Sequence, residues 1–443
     1  MSSNRLHGMR ITANRRPSLQ SIARLATGAF LFLFPFEQIL SVFAGTDTEL
    51  KPYRIALFAA MIPCFLCRGT VLRRASAARI LYLLISPYVL GVAMAAIWTI
   101  EGSDFFGDTV HQITLFVICI LAVYCILVAG QNEKDILFLL NALTLGVVAS
   151  VVVWLFALDT GSYLYRASGL MRNPNHFAAL LSIATIILLS RCVRTETSNL
   201  ANIFALGTAL ICIIALIWSG SRTGIIVSIA GFGYLLLLQL SSASNRLRKI
   251  GFFAIIIGFG LSFLLPLFAR NIFADSLLDR YSLEAAAGGS GRLDLWRAGF
   301  EAASDYFFVG IGLGQFRHQS IDYVNSLNFE AYKVLYVYSL GLHSEYVTLF
   351  VECGIFGLII YLLGIGGLFQ ALNRKIRRDG SKATTTVLLK VMLFMNLAFA
   401  ASQDSYIFPL YWIILALALS AISGEYTDKP MVRQQGTTRV RRR

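Results

Sequence analysis

The stretch GLHSEYVTLFVECGIFGLIIYL, Gly341–Leu362, decides how this chain is read. A polar segment ends at His343 and Glu345, and a long apolar run begins there. A titratable pair therefore sits where a loop turns into a transmembrane helix, at a membrane surface. Histidine is the side chain best suited to proton transfer near neutral pH. The plainer alternative is an interfacial histidine that caps the helix.

Outward from this run the same pattern repeats. Of the 443 residues, 57% are hydrophobic and only 14% charged, too few to coat a soluble protein of this size. Apolar spans can be read at 24–44, 53–67, 80–100, 110–130, 136–158, 174–190, 200–218, 223–240, 249–269, 345–372, 384–401 and 405–422. Each is long enough, or nearly so, to cross about 30 Å of hydrocarbon. The expected fold is an all-α polytopic membrane protein of twelve helices. It divides into N-terminal helices over 1–158, a second region over 159–422 and a basic tail over 423–443.

The net charge of +14 could indicate nucleic acid, but its distribution argues otherwise. Most Lys and Arg fall in the tails and even-numbered loops, including Arg246–Lys249, Arg374–Lys382 and Arg439–Arg443. This is the positive-inside pattern, with both termini cytoplasmic and the basic tails near anionic lipid. The first span is too long for a cleaved leader and has no small-x-small site. The Cys64/Cys67 pair lies inside an apolar span with no further Cys or His cluster, so the cysteines read as packing residues.

One loop, 270–344, is long and falls on the extracytoplasmic side. It carries an amphipathic helix in SGRLDLWRAGFEAAS, with Leu293, Trp296, Phe300 and Ala303 at helical spacing. The run GIGLGQF, Gly310–Phe316, lacks the strand-turn-helix context of a dinucleotide site. Flexibility beside a cleft, or a re-entrant turn, fits it better. There is no clear internal repeat, and ionisable residues inside spans are few: Glu37, Glu352 and Lys390. Both points weigh against a coupled transporter.

The remaining polar residues gather on the outer side. They are Arg166 and the run Arg172-Asn173-Pro174-Asn175-His176, then Ser219–Gly224, then Arg280, Arg292, Arg297, Arg317, His318 and His343. Ser221 can cap the eighth helix with Arg222 in its first turn. A helix N-terminus plus a guanidinium makes an anion cradle, and arginine grips phosphate in a bidentate fork. Arginines converging at the outer boundary fit a lipid-linked pyrophosphate; the plain alternative is snorkelling arginines and helix caps. No DxD pair or metal-spaced cluster stands on that face, which favours metal-independent chemistry without a cofactor. Loop aromatics such as Trp296 suit stacking on sugars, or anchoring at the interface.

In order, RASGLMRNPNHFA (Arg166–Ala178), SGSRTG (Ser219–Gly224), GRLDLWRAG (Gly291–Gly299) with VGIGLGQF (Val309–Phe316), and HSEYVTLFVECGIFGL (His343–Leu358) resemble the O-antigen ligase and O-unit polymerase family of bacterial envelope enzymes. The resemblance covers roughly 160–362; the first 130 residues match only as a hydropathy pattern. His343-Ser344 departs from the His-Asn expected in many members.

The resemblance implies an inverting transfer in a C-type glycosyltransferase (GT-C-like) membrane fold at the periplasmic face of the inner membrane. The donor would be a glycan on undecaprenyl pyrophosphate. The acceptor would be lipid A-core for a ligase, or a second lipid-linked glycan for a polymerase. Arg166, Arg222 and Arg292 would hold the pyrophosphate, and His343 would activate the acceptor hydroxyl. Arg172, Asn175, Ser221, Arg280, Trp296 and Glu345 complete the candidate substrate contacts. The late position of the long loop leans toward a ligase. A flippase, from another class, would need a charge-lined central cavity instead.

The charge bias makes a direct forecast. Reporter fusions or impermeant labels at Asn325 and at Ser381 should read opposite sides of the membrane; two cytoplasmic readings would remove the outer-face assignment.

Overall fold

The computed structural model describes residues 18–38, 51–67, 75–98, 104–156, 167–192, 199–239, 292–317, 320, 323, 341–380, 383–403 and 405–423. Among these the chain is helical, with no strand. In order the helices are α1 (Leu19–Leu33), α2 (Pro52–Leu66), α3 (Ala75–Trp98), α4 (Asp104–Ala129), α5 (Glu133–Phe156), α6 (Pro174–Cys192), α7 (Asn199–Trp218), α8 (Arg222–Gln239), α9 (Arg292–Asp305), α10 (Glu345–Asp379), α11 (Thr384–Ala400) and α12 (Pro409–Ser423). Six of them, α3 to α7 and α10, are long and apolar enough to cross a membrane; α1, α2, α8, α11 and α12 are shorter apolar helices. The chain is a multi-pass membrane protein. The span read at 249–269 lies outside the described residues.

Burial sorts the helices into layers. Nearly every residue of α12 is buried, and α6 is mostly so, hence their apolar character all round. By contrast, α3 and α7 turn most of their surface outward, as lipid-facing helices do. Helix α10 runs along α3, α6 packs on α7 and α8, and α12 packs on α4 and α11. Small residues allow the α3–α10 approach: a Cβ on Gly91 would stand 2.8 Å from Cys353 Sγ.

The first span is corrected. Helix α1 ends at Leu33 rather than near residue 44; Pro35, which follows the C-cap Phe34, brings no N–H to continue the ladder. Glu37 therefore lies beyond the helix, not inside a span. The last span is also shortened: a 3-10 turn, Ser405–Ile407, precedes α12.

Helix α10 departs most from its expected form. A straight helix of its 35 residues would be about 52 Å long. It is broken at Gly354, whose φ of 70° and ψ of 179° are not helical. The break costs two internal hydrogen bonds, from the amides of Ile355 and Phe356 to the carbonyls of Val351 and Glu352. The turn after α9 replaces both. Ile311 and Gly312 donate to the Val351 and Glu352 carbonyls, each at 3.0 Å, while Ile355 and Phe356 donate to the carbonyls of Phe307 and Phe308 at 2.9 and 3.4 Å. Gly310, Gly312 and Gly314 all have positive φ, which accounts for the alternate glycines of GIGLG.

Helix α9 is rotated from its expected face. Leu295, Ala298, Ala302 and Ala303 are buried, Trp296 is half-buried and Phe300 is 48% exposed. The cause is a close approach at Gly299, where a Cβ would meet Leu342 Cδ2 at 2.7 Å. Small residues rather than the large ones define the packed stripe.

Gly354→Ala should be costly, since its Cβ would lie 2.3 Å from the Phe308 carbonyl oxygen. The backbone there is also one that L residues avoid, so a loss of about 3 kcal/mol or more is expected. Gly207→Ala meets nothing within 4 Å and should be neutral or stabilising, by up to about 1 kcal/mol. Thermal unfolding of both variants in detergent checks the contrast.

Candidate functional site

Four helix N-termini, those of α6, α8, α10 and α12, are joined at one end of the molecule by direct contacts. Helix α8 starts as its sequence expects: Ser221 Oγ accepts from the Gly224 amide at 3.2 Å, which places Arg222 in the first turn. A Cβ on Gly224 would lie 2.9 Å from Ala178 Cβ, so α8 begins against the first turns of α6. The contact continues inward, where Ser228 Oγ donates to Ser182 Oγ at 2.7 Å.

Helix α6 starts with an Asx turn, in which the Asn175 amide donates to Asn173 Oδ1 at 2.8 Å. One residue on, the His176 ring stacks on Phe408, centroids 3.9 Å apart and planes at 14°. Phe408 stands between the 3-10 turn and α12. The same turn reaches α10, because the amides of Ser405 and Tyr406 donate to Glu345 Oε2 at 2.5 and 2.8 Å. The Tyr88 hydroxyl donates to the other carboxylate oxygen. Glu345 is fully buried. Its oxygens are directed at α3 and the 3-10 turn.

His343 is the one non-glycine residue with positive φ among the described residues, at 50°. The N-cap position of α10 belongs to Ser344, so the imidazole stands on a left-handed turn just outside the helix. Behind it, Trp296 Nε1 donates to the Leu342 carbonyl at 2.9 Å. The loop helix is thereby tied to the residue preceding His343. Arg292 is the first residue of that helix; its side chain, and all of Arg166 and Arg280, lie outside the described residues.

A second group adjoins this one. The Glu37 carboxylate pairs with the Lys51 ammonium and accepts from the Arg172 amide at 3.0 Å. Burial by itself raises the Glu37 carboxyl, but Lys51, then the Arg172 amide and nearby His176, outweigh it and hold the group below its usual value. Reading Glu37 as a membrane-buried acid hid this pairing. The Pro35 that ends α1 was the signal that could have revealed it. Among the described residues no three His, Cys, Asp or Glu side chains gather as metal ligands.

Residues 207–362 match the family model described as O-antigen ligase. The similarity covers about a third of the chain. The matched stretch holds the Ser221–Arg222 helix start, α9, the glycine turn and the His343 junction; the Arg172–His176 stretch lies before it. No curated protein matches the chain. That similarity supports an activity of the O-antigen ligase or polymerase type, and the end of the bundle where these helix starts meet is the candidate site.

The Glu37–Lys51 pair can be probed by stability. In the wild type, the contribution of a carboxyl whose folded pKa is lowered is complete above the ordinary Glu value and fades as pH falls through the lower folded one. Lys51→Met strands a buried carboxylate and should cost about 3 kcal/mol at neutral pH. That deficit should shrink toward about pH 4, where the stranded carboxyl takes up a proton. Thermal unfolding at both pH values reads it, and a deficit independent of pH would contradict the pairing.

Proposed function

We propose that the chain is a metal-independent, inverting glycosyltransferase working at the periplasmic face of the inner membrane. It moves a glycan from undecaprenyl pyrophosphate to a sugar hydroxyl, as an O-antigen ligase with lipid A-core as acceptor. The observation that carries this reading is the junction of the α8 start, with Ser221 and Arg222, against the α6 start, at the end of the bundle where His343 stands. A helix N-terminus and a guanidinium together favour a phosphate-bearing guest.

In the reaction the acceptor hydroxyl attacks C1 of the donor sugar. The C1–O bond to the pyrophosphate breaks with inversion at C1, and its electron pair stays on the leaving phosphate oxygen. Arg222, together with Arg292 and Arg166, stabilises the charge that grows there. His343 takes the hydroxyl proton as the new bond forms. Its left-handed turn projects it ahead of the helix, while Glu345 is committed to holding that helix start. Arg172 and Asn175 border the same region. Trp296 acts by fixing the backbone at Leu342, not by a free ring face. Repeat-unit polymerisation uses the same chemistry with a second lipid-linked glycan as acceptor.

The decisive variants are Arg222→Lys, Arg222→Ala and His343→Gln, assayed for glycan transfer with donor binding measured in parallel. Arg222→Lys should lose nearly as much as Arg222→Ala, about 3 kcal/mol in transition-state stabilisation. His343→Gln should bind donor and transfer little glycan. Full turnover in Arg222→Ala, or normal transfer by folded His343→Gln, would sink the assignment. A deletion strain separates the two acceptors: bare lipid A-core with intact polymer marks a ligase, and single repeats mark a polymerase.

A further inference from the structure

We propose that the turn following α9 is re-entrant: it dips into the acyl-chain hydrocarbon of the leaflet on the His343 side, with Phe307, Phe308 and Val309 in contact with lipid. Two independent observations carry this, and neither depends on the glycosyl transfer reading.

The first is continuity of surface. Below its break, α10 turns Phe356, Ile359, Leu362 and Leu363 outward, each about half exposed, on a helix apolar and long enough to cross a membrane. Phe308 stacks on Phe356 with ring centroids 5.5 Å apart. From there the rings continue to Phe307 at 5.3 Å, to Phe350 at 5.7 Å and to Phe300 at 6.2 Å. Phe308 is 60% exposed and Phe307 45%. In water, that apolar surface would be an unrelieved penalty. As an extension of the lipid-facing side of α10 it has its solvent.

The second is the backbone. Irregular chain survives at membrane depth only where its polar groups are satisfied by protein. Every amide from Gly310 to Phe316 is satisfied in this way. Gly310 donates to the Tyr306 carbonyl at 2.8 Å, Leu313 to the Gly91 carbonyl at 2.8 Å and Gln315 to the Gly312 carbonyl at 3.2 Å. Ile311 and Gly312 bond across the α10 break as described above. Gly314 and Phe316 donate to the two oxygens of the Glu352 carboxylate at 2.9 and 3.4 Å. A loop in water has no need of so complete a set, because water would serve any amide left over. The Glu352 side chain, only 4% exposed, is spent on it. Immersion of the turn sets the depth of α9 and, through Trp296, of the His343 junction.

The test places p-benzoylphenylalanine at Phe308, one aromatic for another, in the full chain reconstituted into phosphatidylethanolamine–phosphatidylglycerol vesicles. Phe356 serves as the lipid-facing reference and Glu301, a charged and exposed position of α9 about a quarter-turn from Phe300, as the water-facing one. After illumination, mass spectrometry should find phospholipid adducts at Phe308 in yield comparable to Phe356 and several-fold above Glu301. A second probe at Val309 should behave as Phe308 does. Yields at Phe308 and Val309 no higher than at Glu301 would overturn the proposal, whatever the transfer activity of the protein.

Discussion

An unpaired backbone amide in hydrocarbon costs several kcal/mol, and that constraint organises this molecule. Helix α10, long and apolar enough to cross a membrane, is interrupted at Gly354. The interruption persists because the GIGLG turn brings two donors and two acceptors to the four groups that Gly354 leaves open. Each partner needs the other. Without the turn, the break would strand the groups; without the break, the turn would have no place to bond. The long loop is therefore part of the membrane bundle at this point, not an appendage to it.

The two buried acidic residues of α10 serve the same accounting. Glu352 receives amides from the turn, and Glu345 receives amides from the 3-10 turn and the Tyr88 hydroxyl. A carboxylate has about four lone-pair sites and accepts in several directions, which no other side chain of its size does. Each ties elements distant in sequence to the N-terminal part of α10. Together they immobilise the backbone on both sides of its first turns. His343 stands at the free end of that rigid piece, in a conformation costing of order 1 kcal/mol that the surrounding contacts must sustain.

Most of the helices were legible because apolar length is a strong signal. Of the twelve spans read, eleven overlap helices, the first only as far as Leu33 and the last only from Pro409, and the remaining one, 249–269, lies outside the described residues. What escaped was local. Pro35 was overridden by the apolar residues around it, so Glu37 was placed in the membrane and its pairing with Lys51 went unseen. The face of α9 was assigned from its largest side chains, yet Ala298, Gly299 and Ala302 decide the packing by letting α10 come close. Size in sequence argues for burial only when no partner needs the room. The glycine run of 310–314 was legible as something other than a nucleotide loop, but its bonding partner is a helix break some forty residues later, and no local pattern announces that. At the candidate site, the Ser221 cap was readable from the residues alone. The stacking of His176 on Phe408 was not, since it joins segments more than two hundred residues apart in sequence.

The convergence of helix starts has an electrostatic consequence of its own. The N-termini of α6, α8, α10 and α12 meet at one end, each with roughly half a positive charge from its aligned peptides. Arg172 and Arg222 stand at the same end, along with Lys51. Against them the buried carboxylates there are Glu37 and Glu345, the first already paired with Lys51 and the second enclosed by its three donors. Among the described residues, the balance at this end of the bundle is positive. Positive potential held in a low-dielectric wall attracts an anion more strongly than the same charges in water. In the transfer reaction proposed above, a donor pyrophosphate would satisfy that potential, whereas a neutral glycan alone would not. The recognition element of such a donor would then be its lipid-linked phosphate end.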